Sequence, residues 1–268
     1  MCGRFVLFTT DESLLGHPAL RIFHSIHAPK GMPPARYNIG PTTIIPILRV
    51  GTTPVEAVIE PARWGLIPVW KREVTSPPLF NARAETVTTK PSFRQAFSTQ
   101  RCAIPMDGYY EWHNKKPYWI TTGAPTWVAG LWDSGAGMLS ATMITTDSVA
   151  PLDWLHHRMP RFLNNDELAV WLRGSADEAS ELLTPPVMHP PFIRAQLTPA
   201  WEISETTTQS LSTPPRIYSA CKSAKLPSTT RIRSSPLSST SRPRLPPETK
   251  IVSNKMAVSS TTVGSGCF

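Results

Sequence analysis

Cysteine is scarce in this 268-residue chain: four residues, Cys2, Cys102, Cys221 and Cys267, with no CxxC pair among them. That spacing offers no disulfide framework and describes reduced thiols in a cytosolic or nuclear protein. The seven histidines contain no HExxH and no His-x-His with a carboxylate at a fixed offset, so no metal is expected. Neither GxGxxG nor a P-loop occurs, which leaves a nucleotide cofactor without support, and no cofactor is expected. No apolar run approaches the ~18 residues of a membrane-spanning helix, and no basic segment followed by an apolar one opens the chain. Acidic residues are almost missing from one region. Residues 211–268 hold nine Lys/Arg against the single acid Glu248, whereas the 18 basic and 18 acidic residues before them cancel. The net charge of +8 therefore belongs to the tail. Anion binding by the remainder has to rest on locally clustered arginines, not on a global field.

What is present describes a globular core followed by an appendage. Hydrophobic residues make up 40% of the chain, nine of them tryptophan, and 29 prolines favour loops and edge strands over long helices. Short β-branched or aromatic stretches punctuated by turn residues ("TTIIPILRV", "EAVIEPARWGLIPVW", "RCAIPMDGYYEW", "TWVAGLWD", "LSATMITTD") read as strands. Helical signals are fewer. "TKPSFRQAFSTQ" has Thr89 before a proline, with Phe93 and Phe97 on one face. "NNDELAVWLRG" is expected to use Asn165 as its N-cap, to face Leu168, Trp171 and Leu172 inward, and to stop at Gly174, and "SADEASELLT" to add a short helix. The expected class is α+β, with a curved, mostly antiparallel sheet and peripheral helices. From about residue 205 the sequence turns Ser/Thr/Pro-rich and basic, a composition unable to offset its ordering entropy. The expected organisation is a domain over 1–200 and a disordered tail over 201–268.

Four segments combine reactive and polar groups. "MCGRF" places a thiol directly behind the initiator methionine. Removal of that methionine, usual before a small residue, would leave Cys2 with a free α-amine beside its thiol, a 1,2-aminothiol. "FNARAET" puts Asn81 and Arg83 on one face if extended. "MDGYYEWH" sets Glu111 between Tyr110 and Trp112, and "LHHRMP" carries two histidines ahead of Arg158. Taken singly, each has a structural reading: a chance second residue, a turn cap, a strand acid paired with a lysine, a surface histidine.

Taken together and in order, "MCGRF", "RYNIGPT", "RWGLIPVW", "NARAET", "KPSFRQAF", "RCAIPMDGYYEW", "AGLWD", "TTDS" and "HHRMP" resemble the SOS-response-associated peptidase (SRAP) family from Met1 to about Gly174. The resemblance implies a β-rich SRAP-type fold with a DNA groove. It also implies a processed N-terminal cysteine that captures the ring-opened aldehyde of an abasic site in single-stranded DNA as a thiazolidine. Motif by motif, the family's cysteine falls on Cys2, its asparagine on Asn81, its glutamate on Glu111 and its histidine on His156. Arg4 and Arg83 match positions that approach the DNA backbone, Arg158 is a further phosphate candidate, and Trp64 or Pro41 is a candidate for stacking or wedging beside flanking bases. The expected partner is single-stranded DNA with abasic sites, bound by a monomer in the nucleus or cytoplasm. One departure lies beyond Gly174. Family members close the domain with a strand of the type Val-x-x-x-Val-Asn, and "PPVMHPPFIRAQLTPAWEIS" shows none, so either the sheet is closed differently here, or the sequence is altered beyond about Thr184 and a sheet edge lacks its partner.

These residue types suit that chemistry. An α-amine titrates at about 7.7–8 and is partly free at neutral pH, unlike lysine near 10.4. A neighbouring thiol traps the imine before the strand breaks by elimination. Glu111 among aromatics would relay protons, His156 would promote ring-opening of the sugar, and Asn81 would hold the terminus by hydrogen bonds. Two other readings stay open: an N-terminal-nucleophile cysteine peptidase, whose α-amine serves as base, and a non-catalytic reader of single-stranded or modified DNA.

Overall fold

The computed structural model describes residues 2–10, 12–74, 77–186 and 193–196. The basic tail expected over 201–268 lies outside them. Along the chain run β1 (Arg4–Leu7), α1 (Glu12–Leu15), β2 (Ser25–His27), β3 (Arg36–Ile39), β4 (Ile44–Val50), β5 (Glu56–Trp64), β6 (Asn81–Arg83), α2 (Ala84–Val87) and α3 (Arg94–Thr99). There follow β7 (Arg101–Met106), β8 (Gly108–His113), β9 (Lys116–Thr121), β10 (Thr126–Asp133), β11 (Ser140–Asp147), β12 (Arg158–Pro160), β13 (Phe162–Leu163), α4 (Asn165–Arg173), α5 (Ala176–Glu181) and β14 (Ile193–Gln196). The strands form two sheets, one ordered β14-β9-β8-β1-β3 and one ordered β12-β11-β10-β7-β4-β5-β2, with β6 added beside β11 and β13 beside β10. Pairing is mostly antiparallel, as the sequence led us to expect; β6 on β11, β2 on β5 and β11 on β5 run parallel.

Period-two alternation explains the layering. Along β7, Cys102, Ile104 and Met106 face the five-stranded sheet and pack with Phe5, Ile39, Tyr109 and Ile120. Ala103, between them, faces the helices with Trp127, Leu131, Leu168 and Trp171. The large sheet is thus covered on both faces, which is why its strands read as nearly unbroken apolar runs.

Two expectations need correction. The N-cap of α4 is Asn164, not Asn165. Its side chain accepts the amides of Asp166 and Glu167, and Glu167 returns a bond to the Asn164 N–H, a closed capping box. The helix expected from Thr89 starts only at Arg94, because the residues after Pro91 form turns. Of the two readings of the C-terminal end, the structure bears out the first: Ile193–Gln196 closes the sheet, pairing antiparallel with β9, Ile193 opposite Thr121 and Gln196 opposite Tyr118. That pairing uses backbone groups, which an Ile-Arg-Ala-Gln segment supplies as well as the expected valine pattern.

Candidate active site

Cys2 sits just before β1, whose register against β8 sets Arg4 opposite Tyr110 and Phe5 opposite Tyr109. Extended backward, that antiparallel ladder carries the terminus alongside Glu111. Cys2 is fully buried and belongs to the inter-sheet core with Tyr109, and Glu111, two residues along the same strand face, is 6% exposed. Asn81 arrives from the other sheet. It opens β6, whose parallel pairing sets it opposite Met143, and its Nδ2 donates to the carbonyl oxygen of Cys2 at 2.8 Å. Asn81 Oδ1 is buried and has no hydrogen-bond partner among the described residues. The structure thus joins Cys2, Asn81 and Glu111.

Electrostatics bring His156 into the same group. Burial pushes the Cys2 thiol well above its ordinary range, and the Glu111 charge pushes it further, against a hydrogen bond with the Arg4 backbone. Burial lowers His156, while the Glu111 charge acts on it in the opposite sense. Its Nδ1 lies 2.8 Å from the Arg158 amide nitrogen and 3.1 Å from the Arg158 carbonyl oxygen, so the Arg158 backbone holds the ring through that nitrogen. Tyr109, which we did not single out in the sequence, lies within reach as well. Its hydroxyl is raised by burial and then by the charges of Cys2 and Glu111, and stays protonated. Its place two residues before Glu111 on one strand face was the signal that could have found it.

The residues expected to meet DNA divide. Arg4 is half-buried and donates to Asn38 Oδ1 at 3.0 Å, Arg83 is exposed, and Pro41 is half-buried beside the positive-φ residue Thr42. Trp64 and Arg158 are corrections. Trp64 has no exposed surface: its ring meets Phe5 and Phe80 edge-on, and its indole N–H donates to the Phe80 carbonyl at 2.9 Å. No face is open to a base. The Arg158 guanidinium is buried and committed to Glu85 (2.7 Å), Asp147 (2.6 Å) and the Thr145 carbonyl (2.5 Å). Burial works against the Glu85 carboxylate, but the hydrogen bonds and charge of Arg158, together with a bond to its own backbone, hold Glu85 below its ordinary value.

The most exposed aromatic among the described residues lies six residues past Trp64. Trp70 is 58% exposed next to Val69, with Lys71 Nζ 5.0 Å from its ring centroid. Its loop starts from a bridge between Leu66 and Leu79 and returns directly to Phe80 and Asn81. It is clamped from beneath: Val69 N–H donates to Asp133 Oδ2 (2.9 Å), Gly135 N–H to the Ile67 carbonyl (3.0 Å) and Ala136 N–H to the Lys71 carbonyl (2.8 Å). A Cβ on Gly135 would lie 2.2 Å from the Pro68 oxygen, so the clamp requires glycine. The "VWKRE" run, an aromatic among charges between prolines, was the sequence signal for this loop. Among the described residues no group of three or more His, Cys, Asp or Glu could hold a metal, and no helix is long and apolar enough to cross a membrane.

Comparison with known proteins bears on the whole chain up to residue 206. The family model described as SOS response associated peptidase (SRAP) matches residues 1–206, past the Gly174 where the motifs end. The abasic site processing protein YoaM of Bacillus subtilis is 34% identical over 202 residues, 69% of this chain and 86% of that protein. The abasic site processing protein YedK of Escherichia coli is 30% identical over 68% of this chain and 85% of its own. The abasic site processing protein HMCES of Xenopus tropicalis is 31% identical over 51% and 53%. A crystal structure of a Bacteroides thetaiotaomicron protein matches with a TM-score of 0.62 at 26% identity, over 74% of this chain and 93% of that one.

Proposed function

This chain belongs to the SOS response associated peptidase (SRAP) family, and from that membership and the geometry around Cys2 we propose that it recognises abasic sites in single-stranded DNA and captures them on its processed terminus as a thiazolidine, shielding the lesion. The names of its relatives, abasic site processing proteins, support the lesion. The observation that carries the reading is the buried Cys2 tied by its carbonyl to Asn81 at 2.8 Å, with Glu111 charge acting on its thiol.

With Met1 removed, the Cys2 amine adds to the C1′ aldehyde of the ring-opened sugar, and loss of one water gives the imine. The thiol then adds across the carbon–nitrogen double bond. A carbon–sulfur bond forms, the sulfur's proton ends on nitrogen, and nothing is oxidised or reduced. Sulfur attacks best as a thiolate, so its proton leaves as the carbon–sulfur bond forms and ends on the ring nitrogen. Glu111 is the relay for that transfer and for the departing water. Asn81 Oδ1, a buried acceptor without a partner, suits an N–H of the new amine. With Nδ1 engaged by the Arg158 backbone, Nε2 is the His156 nitrogen that serves the sugar oxygen on ring-opening. Arg4 and Arg83 serve phosphates, and exposed Trp70 serves as a stacking surface that an unpaired base can reach.

The test is incubation of the mature protein with an abasic oligonucleotide. A heat-stable adduct is expected, lost in Cys2→Ala and reduced to a labile imine in Cys2→Ser. Binding without an adduct would make the protein a reader, and cleavage of peptides without DNA would make it a peptidase. Retention of Met1 in the intact mass would overturn the capture chemistry outright.

A further inference from the structure

We propose that Trp154 is a second stacking platform, receiving a nucleobase that neighbours the abasic sugar; this rests on the capture reading above. The β8–β9 hairpin sets Glu111 opposite Tyr118 and His113 opposite Lys116. Residues two apart on a strand, and residues directly paired across it, share one face. Glu111, His113 and Tyr118 therefore project to the same side. Trp154 lies on that side too. Its ring meets His113 edge-on with centroids 5.3 Å apart, and Tyr118 edge-on at 5.2 Å. It thus packs against Tyr118, the residue paired with Glu111, and against His113, the next residue on that face of the strand.

The segment that carries Trp154 is fixed to this spot. Leu155 is buried in the inter-sheet core, and its carbonyl lies 3.2 Å from His113 Nδ1. His156, the residue whose ring feels the Glu111 charge, comes next. A buried Leu155 between Trp154 and His156 anchors the segment that carries both. Trp154 nevertheless keeps 41% of its surface exposed.

The chemistry of the lesion says what that surface receives. An abasic sugar has no base of its own, so recognition around it has to draw on the bases at its flanks. Aromatic faces take such bases without regard to sequence. The hairpin turn adds Lys115 and Lys116, both exposed, as positive charge for the adjoining phosphates. A nucleobase on a single strand satisfies both features.

The experiment is a cycle between protein and DNA, using an oligonucleotide with a tetrahydrofuran abasic analogue, which has no aldehyde and cannot crosslink. Affinity is measured with both neighbouring bases present, and then with either the 5′ or the 3′ neighbour also replaced by tetrahydrofuran. In the wild-type protein one of these replacements is expected to weaken binding about tenfold. Trp154→Ala should weaken binding to the fully flanked strand by a similar factor and be indifferent to loss of that neighbour. Trp154→Phe should retain the coupling, which separates stacking from a merely structural loss. Wild-type protein that loses nothing with either replacement, or Trp154→Ala that remains as sensitive as wild type, would overturn the proposal and leave Trp154 as cover for the hairpin. Failure of an aldehydic strand to form an adduct would count against capture alone, because the flank coupling is read on DNA that cannot react.

Discussion

Asn81 Nδ2 donates to the Cys2 carbonyl oxygen at 2.8 Å, joining a strand of the large sheet to the terminus that leads into the small one. This single bond orients the residue proposed to react, and it leaves the amide's Oδ1 buried without a partner. Asn81→Ala removes both atoms. The expected result is an adduct-forming rate lower by about 100-fold, the scale on which misplacement of a reacting group by an ångström is felt. Single-turnover assays with an abasic oligonucleotide read this directly. An unchanged rate would show that the bond to Cys2 serves only to hold the chain.

Glu111→Gln keeps the shape and removes the proton relay. Adduct formation is expected to slow by about 100-fold to 10,000-fold, the usual range for loss of a general acid–base group. The adduct that does form should keep its heat stability, because the ring itself is untouched. A full-rate Glu111→Gln would leave the carboxylate with a purely electrostatic effect on its neighbours.

Much of this was legible in the chain, for reasons that differ by residue. The strands were legible because Cys102, Ile104 and Met106 alternate with Ala103 between two apolar layers. The grouping of Cys2, Asn81, Glu111 and His156 was legible only as collinear motifs; no local pattern says that residues 2 and 81 share a hydrogen bond. Trp64 and Trp70 belong to one motif, and which of them is exposed depends on the end of β5, where Ala62 and Trp64 both turn inward. Arg101 opens β7. It is buried and caps the C-terminal carbonyls of α3 and α4, donating to Phe97 (2.9 Å) and Trp171 (2.6 Å). The strand Ile193–Gln196 escaped notice because backbone pairing carries little side-chain signal.

Arg158→Leu tests where that guanidinium is spent. Its carboxylate partners are largely solvated, Glu85 49% and Asp147 74% exposed, so they return to water when the arginine is lost. The expected cost is about 1–3 kcal/mol in denaturant unfolding, mainly from the orphaned Thr145 carbonyl and the vacated interior. The salt dependence of DNA binding should not change. A phosphate-contacting arginine would instead lower the logarithmic salt slope by about one on removal.

His17 sets an acid limit on the helical layer. Its Nδ1 accepts from the Ala19 amide at 3.2 Å and from the Trp127 indole at 3.3 Å, and burial lowers its pKa below 6.5. Between the folded value and the unfolded one the unfolded chain binds more protons, so stability rises with pH there. The contribution is whole above pH 6.5 and is lost as pH falls toward and through the folded value. His156 is also lowered by burial and acts in the same direction. His17→Asn keeps an acceptor that does not titrate. Its melting temperature should therefore fall less than that of wild type as pH drops below 6.5; parallel curves would remove His17 from the account.

Asp133 is 2% exposed and holds the Trp70 loop from below, accepting from Val69 N–H at 2.9 Å and Ser134 N–H at 2.8 Å. Trp70→Ala should weaken binding to a tetrahydrofuran-containing single strand by about tenfold or more, the loss of one stacked base. It should do so with little change in protein stability, since most of the ring is already in water. Asp133→Ala reaches the same loop through its support. Binding should weaken with Trp70 still present, and at saturating DNA the adduct rate should stay close to wild type, because Asp133 touches none of the groups at Cys2. A slowed rate at saturation would mean that the loop governs the geometry of Asn81, which follows it in the chain, as well as the grip on DNA.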